Sequence, residues 1–304
     1  MLPQLSPRQG CSVCLARLER LGWKAGLAVA VQGARIGVRA TGPDVLDRVR
    51  ERLPPGWKPS SARRVDELYS LVVGDPGAGS HFHRYHLLYA GAARLARSTR
   101  LDEVLEVLED DLHYAAAFAT RTRLFVRAGV VGWGGRALLV LGHGRSGTTS
   151  LVAALVRAGA AYYSDEFAVL DARGRAHPYP VTPSVGGGDG APPRELPLRE
   201  LGGRAGVEPI PVALVAVARY APGARWRPRA LSPGQAVLAM LERSLLAGDR
   251  TAFALESLGC VAAGADALAC RRGEAREAAG SLIRRLERAS GRQPGDRVPV
   301  SPSG

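Results

Sequence analysis

The sequence predicts an α/β protein with a mixed sheet, preceded by a small α+β region. Three observations predict it. Strand-like and helix-like apolar runs alternate along most of the chain. Near the middle, "RALLVL" feeds a glycine loop, "GHGRSG", which opens into the helix-like run "SLVAALVRAG". The chain has 304 residues, 46% of them hydrophobic, enough for one large or two ordinary domains.

The elements follow in order. Residues 12–22, "SVCLARLERLG", have helical spacing. "LAVAVQGARIGVRAT" reads as two short strands around a turn at Gly33. "PDVLDRVRERLPPGW" reads as a helix stopped by Pro54 and Pro55. "LYSLVVG" and "RYHLLYAG" are strand candidates. "LDEVLEVLEDDLHYAAAFAT" repeats apolar residues at three- and four-residue spacing and predicts an amphipathic helix. A domain boundary is placed near residue 118, giving regions 1–117 and 118–290. Residues 291–304, "GRQPGDRVPVSPSG", are expected to be a disordered tail.

In the second region, two apolar runs flank "GWGG", a hairpin signal. "AAYYSDEFAVLDARGRAHPYP" reads as two strands around a polar turn at Ala172 to Arg175. Residues 181–193, "VTPSVGGGDGAPP", have no periodicity and read as a mobile loop near the site. "VALVAVARY" is a buried strand. "SPGQAVLAMLERSLLAG" is a helix with Ser232 as N-cap and Pro233 in its first turn. Helices near 251–262 and 273–289 close the domain.

The net charge is +13, but only Lys24 and Lys58 are lysines and the arginines are spread out, with small clusters at Arg225 to Arg229 and Arg284 to Arg288. This is compositional bias rather than a binding patch, so nucleic acid is not the expected partner. No apolar run approaches the length of a membrane helix, and the N-terminus carries no leader pattern, so a cytoplasmic location and no membrane partner are expected. Cys11 and Cys14 form a C-x-x-C pair, but Cys260 and Cys270 have the wrong spacing to complete a zinc site, so half-buried thiols are expected.

The sequence Gly142, His143, Gly144, Arg145, Ser146, Gly147, Thr148, Thr149, Ser150 carries the chemistry. It fits the phosphate-loop pattern G-x-x-x-x-G-K-[ST] at every position but one, where Thr148 replaces lysine. The glycines let backbone N–H groups form an anion nest. The helix beginning near Thr148 adds its N-terminal partial charge. Thr149 offers a hydroxyl to a magnesium ion. The lysine's mobile charge at the γ-phosphate is missing, and Arg145 is one candidate to replace it. Downstream, "YYSDE" ends a short strand with Asp165 and Glu166. Acids so placed hold magnesium or accept a proton from an attacking hydroxyl.

Other candidates are weaker. His81 and His83 would share a strand face that His86 does not, so a partly exposed strand edge is expected rather than a metal site. Trp133 is read either as a base-stacking ring or as a packing or partner contact. Ser164 has no adjacent histidine, which argues against a hydrolase. "YAPGARWRPRALSPG", with Trp226, is read as a loop covering the core, with substrate contact as the alternative.

These residues resemble the catalytic domain of HPr kinase/phosphorylase, and more closely the HPr-kinase-like proteins found beside bacterial peptide-modifying gene clusters. The resemblance covers roughly residues 118–290 and is strongest over 126–171. It implies a phosphate-loop kinase core related to phosphoenolpyruvate carboxykinase. It also implies ATP (or pyrophosphate) and Mg2+ as cofactors, and a small protein or peptide bearing an acceptor serine as partner. By this resemblance Gly142 to Gly147 form the loop, Thr149 the magnesium hydroxyl, and Asp165 and Glu166 the metal-binding and catalytic acids. Two positions depart from the family: Thr148 replaces its lysine, and Arg127 replaces its histidine. The expected function is a nucleotide-binding protein, ancestrally a serine kinase. The alternatives are a catalytically impaired nucleotide or anion sensor that binds a partner, and a basic nucleic-acid adaptor. A homo-oligomer is compatible with all three.

Overall fold

The computed structural model describes residues 4–5, 18–75, 84–142, 147–185, 194–246, 248 and 250–290. The chain divides into two compact units, residues 1–123 and 124–304. The class is α/β with mixed sheets.

In the first unit, β1 (Ala25–Val31) and β2 (Ala34–Ala40) form the expected hairpin, with Gln32 and Gly33 at positive φ in its turn. β3 (Glu67–Val72) runs parallel to β2, and β4 (His86–Ala90) and β5 (Ala93–Ser98) continue antiparallel. Helix α1 covers Val45–Arg50, shorter than the run up to Pro54 suggested. Helix α2 (Leu101–Ala119) has an apolar stripe, Val104, Leu105, Leu108 and Leu112, that is fully buried. β5 was not anticipated, because "ARLARS" is mostly arginine and alanine and lacks the usual strand formers. His86 corrects the expectation of an exposed strand edge. It is buried on an inner strand, and its Nδ1 accepts a hydrogen bond from the Gly74 N–H at 3.1 Å. His81, His83, Cys11, Cys14 and most of the predicted N-terminal helix lie outside the described residues.

In the second unit, the hairpin is β7 (Gly129–Trp133) and β8 (Arg136–Leu141), joined by Gly134 and Gly135, both at positive φ. The run before it is a separate strand, β6 (Leu124–Arg127), which belongs to another part of the sheet. Helix α3 (Thr148–Arg157) follows β8. The stretch read as two strands contains three: β9 (Ala161–Ser164), β10 (Phe167–Leu170) and β11 (Arg175–His177). β12 (Ile210–Tyr220) is the buried strand. Helices α4 (Pro233–Leu241) and α5 (Thr251–Gly264) come next. A strand absent from the expectation, β13 (Asp266–Arg272), precedes α6 (Ala275–Ser290).

β12 joins two parts of one ten-stranded sheet. Over most of its length it lies between β8 and β13, parallel to both. Its first residues, Ile210 and Pro211, pair instead with β11, which leads on through β10 and β6. Alternation on β8 separates two cores. Leu138 and Val140 pack with α3 and α6 residues such as Leu151, Leu155 and Leu282. Leu139 and Leu141 pack with Met240, Ala254, Leu258 and Val261 of α4 and α5.

One expected detail stands and two do not. Ser232 caps α4 with a full capping box, its side chain accepting from Gln235 N and Gln235 returning to Ser232 N. Ser232→Ala is expected to cost about 1 kcal/mol, read as a lower urea midpoint at unchanged slope. But α4 stops at Leu241, and Ser244–Leu245 then joins the sheet beside β6. The stretch read as a patternless loop contributes Ser184–Val185 to a short ladder with Arg194–Glu195, just beyond it. Residues 186–193 and the expected tail lie outside the described residues. Among the described residues no helix is long and apolar enough to cross a membrane.

Candidate functional site

The site forms where several strands end together. β8, β12 and β13 are parallel, so their carboxyl ends lie on one side. β9 runs antiparallel to β7, which runs antiparallel to β8, so β9 points the same way as β8. The loop leaves β8 at Gly142, and the acids leave β9 at Asp165. In register, Leu141 faces Val217 and Val217 faces Ala269. Tyr220 and Arg272 therefore extend beyond the level at which the loop begins.

Gly142 and Gly147 bracket the loop; His143, Gly144, Arg145 and Ser146 lie outside the described residues. Gly147 is the N-cap of α3, with φ 71° and ψ 28°, the left-handed region that glycine adopts without strain. Glycine brings no capping side chain, so the first-turn amides and the helix dipole present positive character. Thr148 and Thr149 are half-buried, whereas Ser150 is exposed.

Ser164 makes the turn that presents the acids. It is fully buried, and its Oγ accepts from Phe167 N at 3.0 Å and Glu166 N at 3.2 Å. These bonds end β9 and redirect the chain. Asp165, half-buried, then receives a hydrogen bond from the Thr149 side chain. The Tyr162 hydroxyl lies 2.7 Å from Asp165 Oδ1 and also 2.7 Å from the Val181 carbonyl. Burial pushes the Asp165 carboxyl above its ordinary range, and the Tyr162 and Thr149 hydrogen bonds oppose that shift. Glu166 lies close enough to raise the Tyr162 and Tyr179 hydroxyls electrostatically, though burial is the larger cause for both. Its carbonyl accepts from Ala128 N at 3.0 Å, tying the acid turn to the link between β6 and β7.

Gly129 makes this closeness possible. It lies at the start of β7, opposite Val140 of β8 and next to Val130, which faces Ser164. A Cβ there would collide with Val152 Cγ2, and would lie 3.0 Å from Thr148 Cγ2 and 3.8 Å from Asp165 Cα. The first turn of α3 thus rests on bare backbone beside the acid.

Three contributors were not anticipated from sequence. Tyr162 is one, and its only signal was its place three residues before Asp165. The other two are buried arginines. Arg243, 8% exposed, donates from Nε to the Gly142 carbonyl at 3.2 Å and from Nη1 to the Ala239 carbonyl at 2.5 Å. Arg272, 2% exposed, donates from Nη2 to the Gly147 carbonyl at 2.7 Å and from Nη1 to the Gly273 carbonyl at 2.9 Å. The two arginines hold opposite ends of the loop. Arg127 is exposed; it faces Phe167 across the β6–β10 ladder, with its guanidinium 5.9 Å from that ring.

Trp133 does not belong to the site. Its ring packs on Gly159, just past the far end of α3, about 15 Å from the loop for a ten-residue helix. This corrects the base-stacking reading. Trp226 packs against the core of α3 and α6, as the loop-covering reading expected.

Among the described residues, no three His, Cys, Asp or Glu side chains gather as a metal site. The donor set present, one hydroxyl and one carboxylate at a helix N-terminus, suits Mg2+ held jointly with phosphate oxygens and water. No family model matches the chain, and no curated protein matches it significantly.

Proposed function

We propose that this protein binds a magnesium–nucleotide complex at the start of α3, as an HPr-kinase-like protein whose ancestral chemistry is phosphate transfer from ATP to a serine of a small protein or peptide. The observation that carries the reading is the Thr149 hydroxyl set close enough to Asp165 to lower its pKa, beside a left-handed Gly147. A hydroxyl and a carboxylate set side by side at a helix N-terminus are the magnesium donors a phosphate loop uses. In this reading Gly142 to Ser150 cradle the phosphates, Thr149 and Asp165 hold the metal, and Asp165 or Glu166 accepts the proton. The core is of the phosphoenolpyruvate carboxykinase-like kinase type.

Thr148 and Arg127 favour the sensor form of this reading over an efficient kinase. Loss of the loop lysine removes charge where the transition state needs it, slowing transfer on the order of a thousandfold. A salt-sensitive interaction with DNA or RNA, without nucleotide binding, would instead favour the basic adaptor.

Calorimetric titration of Mg-ATP into the natural protein and into Thr148→Lys tests the proposal. The natural protein is expected to bind at micromolar levels, and Thr148→Lys more tightly. Absence of heat with both proteins, at concentrations that saturate a weak site, overturns it.

A further inference from the structure

We propose that Arg272 supplies the positive charge that lysine supplies in other phosphate loops, and that it binds the phosphate chain of a nucleotide or of inorganic pyrophosphate. The inference rests on the nucleotide-binding reading above. It identifies the cation for that site.

The position of the guanidinium is the first ground. β13 is the parallel strand beyond β12, and its last residue stands three registers past the level at which β8 gives way to the loop. From there Arg272 Nη2 reaches the carbonyl of Gly147, the residue directly before the vacated lysine position. The contact is built into the loop. Gly147 needs glycine for its φ of 71°, and a Cβ at that position would collide with Arg272 Nη2. The bare backbone of Gly147 therefore leaves room for this arginine.

Placement and charge agree. The guanidinium is held by two carbonyls, Gly147 and Gly273, and its carbon lies 5.3 Å from the Tyr220 ring centroid. Carbonyls orient a guanidinium but leave its charge in place. Burial lowers the Arg272 pKa, and nearby Cys270, Tyr220 and Glu274 raise it in turn. An arginine still remains protonated at neutral pH. An anion at the adjacent helix N-terminus is attracted to such a charge. An oligophosphate is strongly anionic, and arginine matches its geometry in a bidentate way. Thr148 is neutral, so a cation arriving from β13 restores the charge balance of the site.

The test is Mg-ATP and magnesium pyrophosphate binding to the full chain and to Arg272→Gln, Arg272→Lys, Arg145→Ala, and Arg272→Gln combined with Thr148→Lys. Arg272→Gln is expected to lose about tenfold or more in affinity, the effect of one charge-assisted hydrogen bond. Arg272→Lys should keep most of the affinity, and adding Thr148→Lys to Arg272→Gln should restore it. Loss with ATP alone assigns the nucleotide as ligand; loss with both probes assigns the shared phosphate chain. If the natural protein binds neither probe, the site reading falls and this inference with it. If it binds and Arg272→Gln binds equally, only the role of Arg272 is overturned. That role is overturned equally if Arg145→Ala alone removes binding. Should Arg272→Gln fail to fold by circular dichroism, the natural protein still decides. Its Arg272 Nε–H resonance, assigned by comparison with Arg272→Lys, should move on addition of Mg-ATP; an unmoved resonance overturns the proposal.

Discussion

Replacing Asp165 by asparagine is expected to make the protein more stable and its magnesium–nucleotide complex weaker. The two effects have one cause. Burial raises the Asp165 carboxyl above its ordinary value of 3.8. The fold therefore favours the neutral acid, and its ionisation opposes folding. The sign follows: this contribution to stability is fullest below the ordinary aspartate range and is lost as pH rises through the raised value. At neutral pH asparagine removes the buried charge, keeps the shape and still accepts a bond from Tyr162 or Thr149. The melting temperature of Asp165→Asn should exceed that of the natural protein at pH 8, and the gap should close toward pH 4. Mg2+ binds the carboxylate, so the magnesium-dependent part of ATP affinity should fall at least about tenfold, the loss seen when even an outer partner of a metal ligand is disturbed. Thermal melts across pH, with titrations in Mg2+ and in a chelator, measure both. A destabilised variant with unchanged magnesium dependence would mark Asp165 as a structural residue.

The second large effect is expected at Gly129. Gly129→Val places a branched side chain where a Cβ alone would collide with Val152 and crowd Thr148. Both neighbours belong to α3, and Val152 is buried. Overpacking of this kind costs about 1–3 kcal/mol. Relief requires α3 to move off β7, which draws Thr149 away from Asp165. Nucleotide affinity should thus fall along with stability. Val152→Ala, combined with Gly129→Val, removes the first collision and should recover part of the stability, because residues in direct contact are not additive. Chemical denaturation of the four proteins in that cycle checks the claim; a purely additive cycle would show that Gly129 acts elsewhere.

Much of the fold was legible in the chain. Hydrophobic periodicity gave α2, because Val104, Leu105, Leu108 and Leu112 recur on one stripe whatever the helix packs against. Turn chemistry gave both hairpins, since Gln32–Gly33 and Gly134–Gly135 take positive φ that few other residues accept. Local patterns failed where a strand draws its stability from neighbours. β13, "DALACRR", is rich in alanine and arginine and has little strand character of its own. It is a strand because β12 offers it a parallel edge of seven paired residues. The split of residues 124–133 into β6 and β7 was equally hidden, since the short apolar runs on either side of Arg127 serve different parts of one sheet.

The candidate site divides the same way. The sequence by itself determined the glycine loop, the hydroxyl at Thr149, the acids at Asp165 and Glu166, and the missing lysine at Thr148, because each is a matter of residue type and spacing. Only the tertiary structure decided which of these meet. It set Thr149 against Asp165 across β7, used Ser164 to turn the acids out of β9, and moved Trp133 to the far end of α3. It also brought Arg243 and Arg272 to the two ends of the loop from 101 and 125 residues away. No local pattern encodes such a meeting. It follows from parallel strands that finish on one side of a sheet, and their order is fixed by burial of both faces rather than by neighbours in sequence.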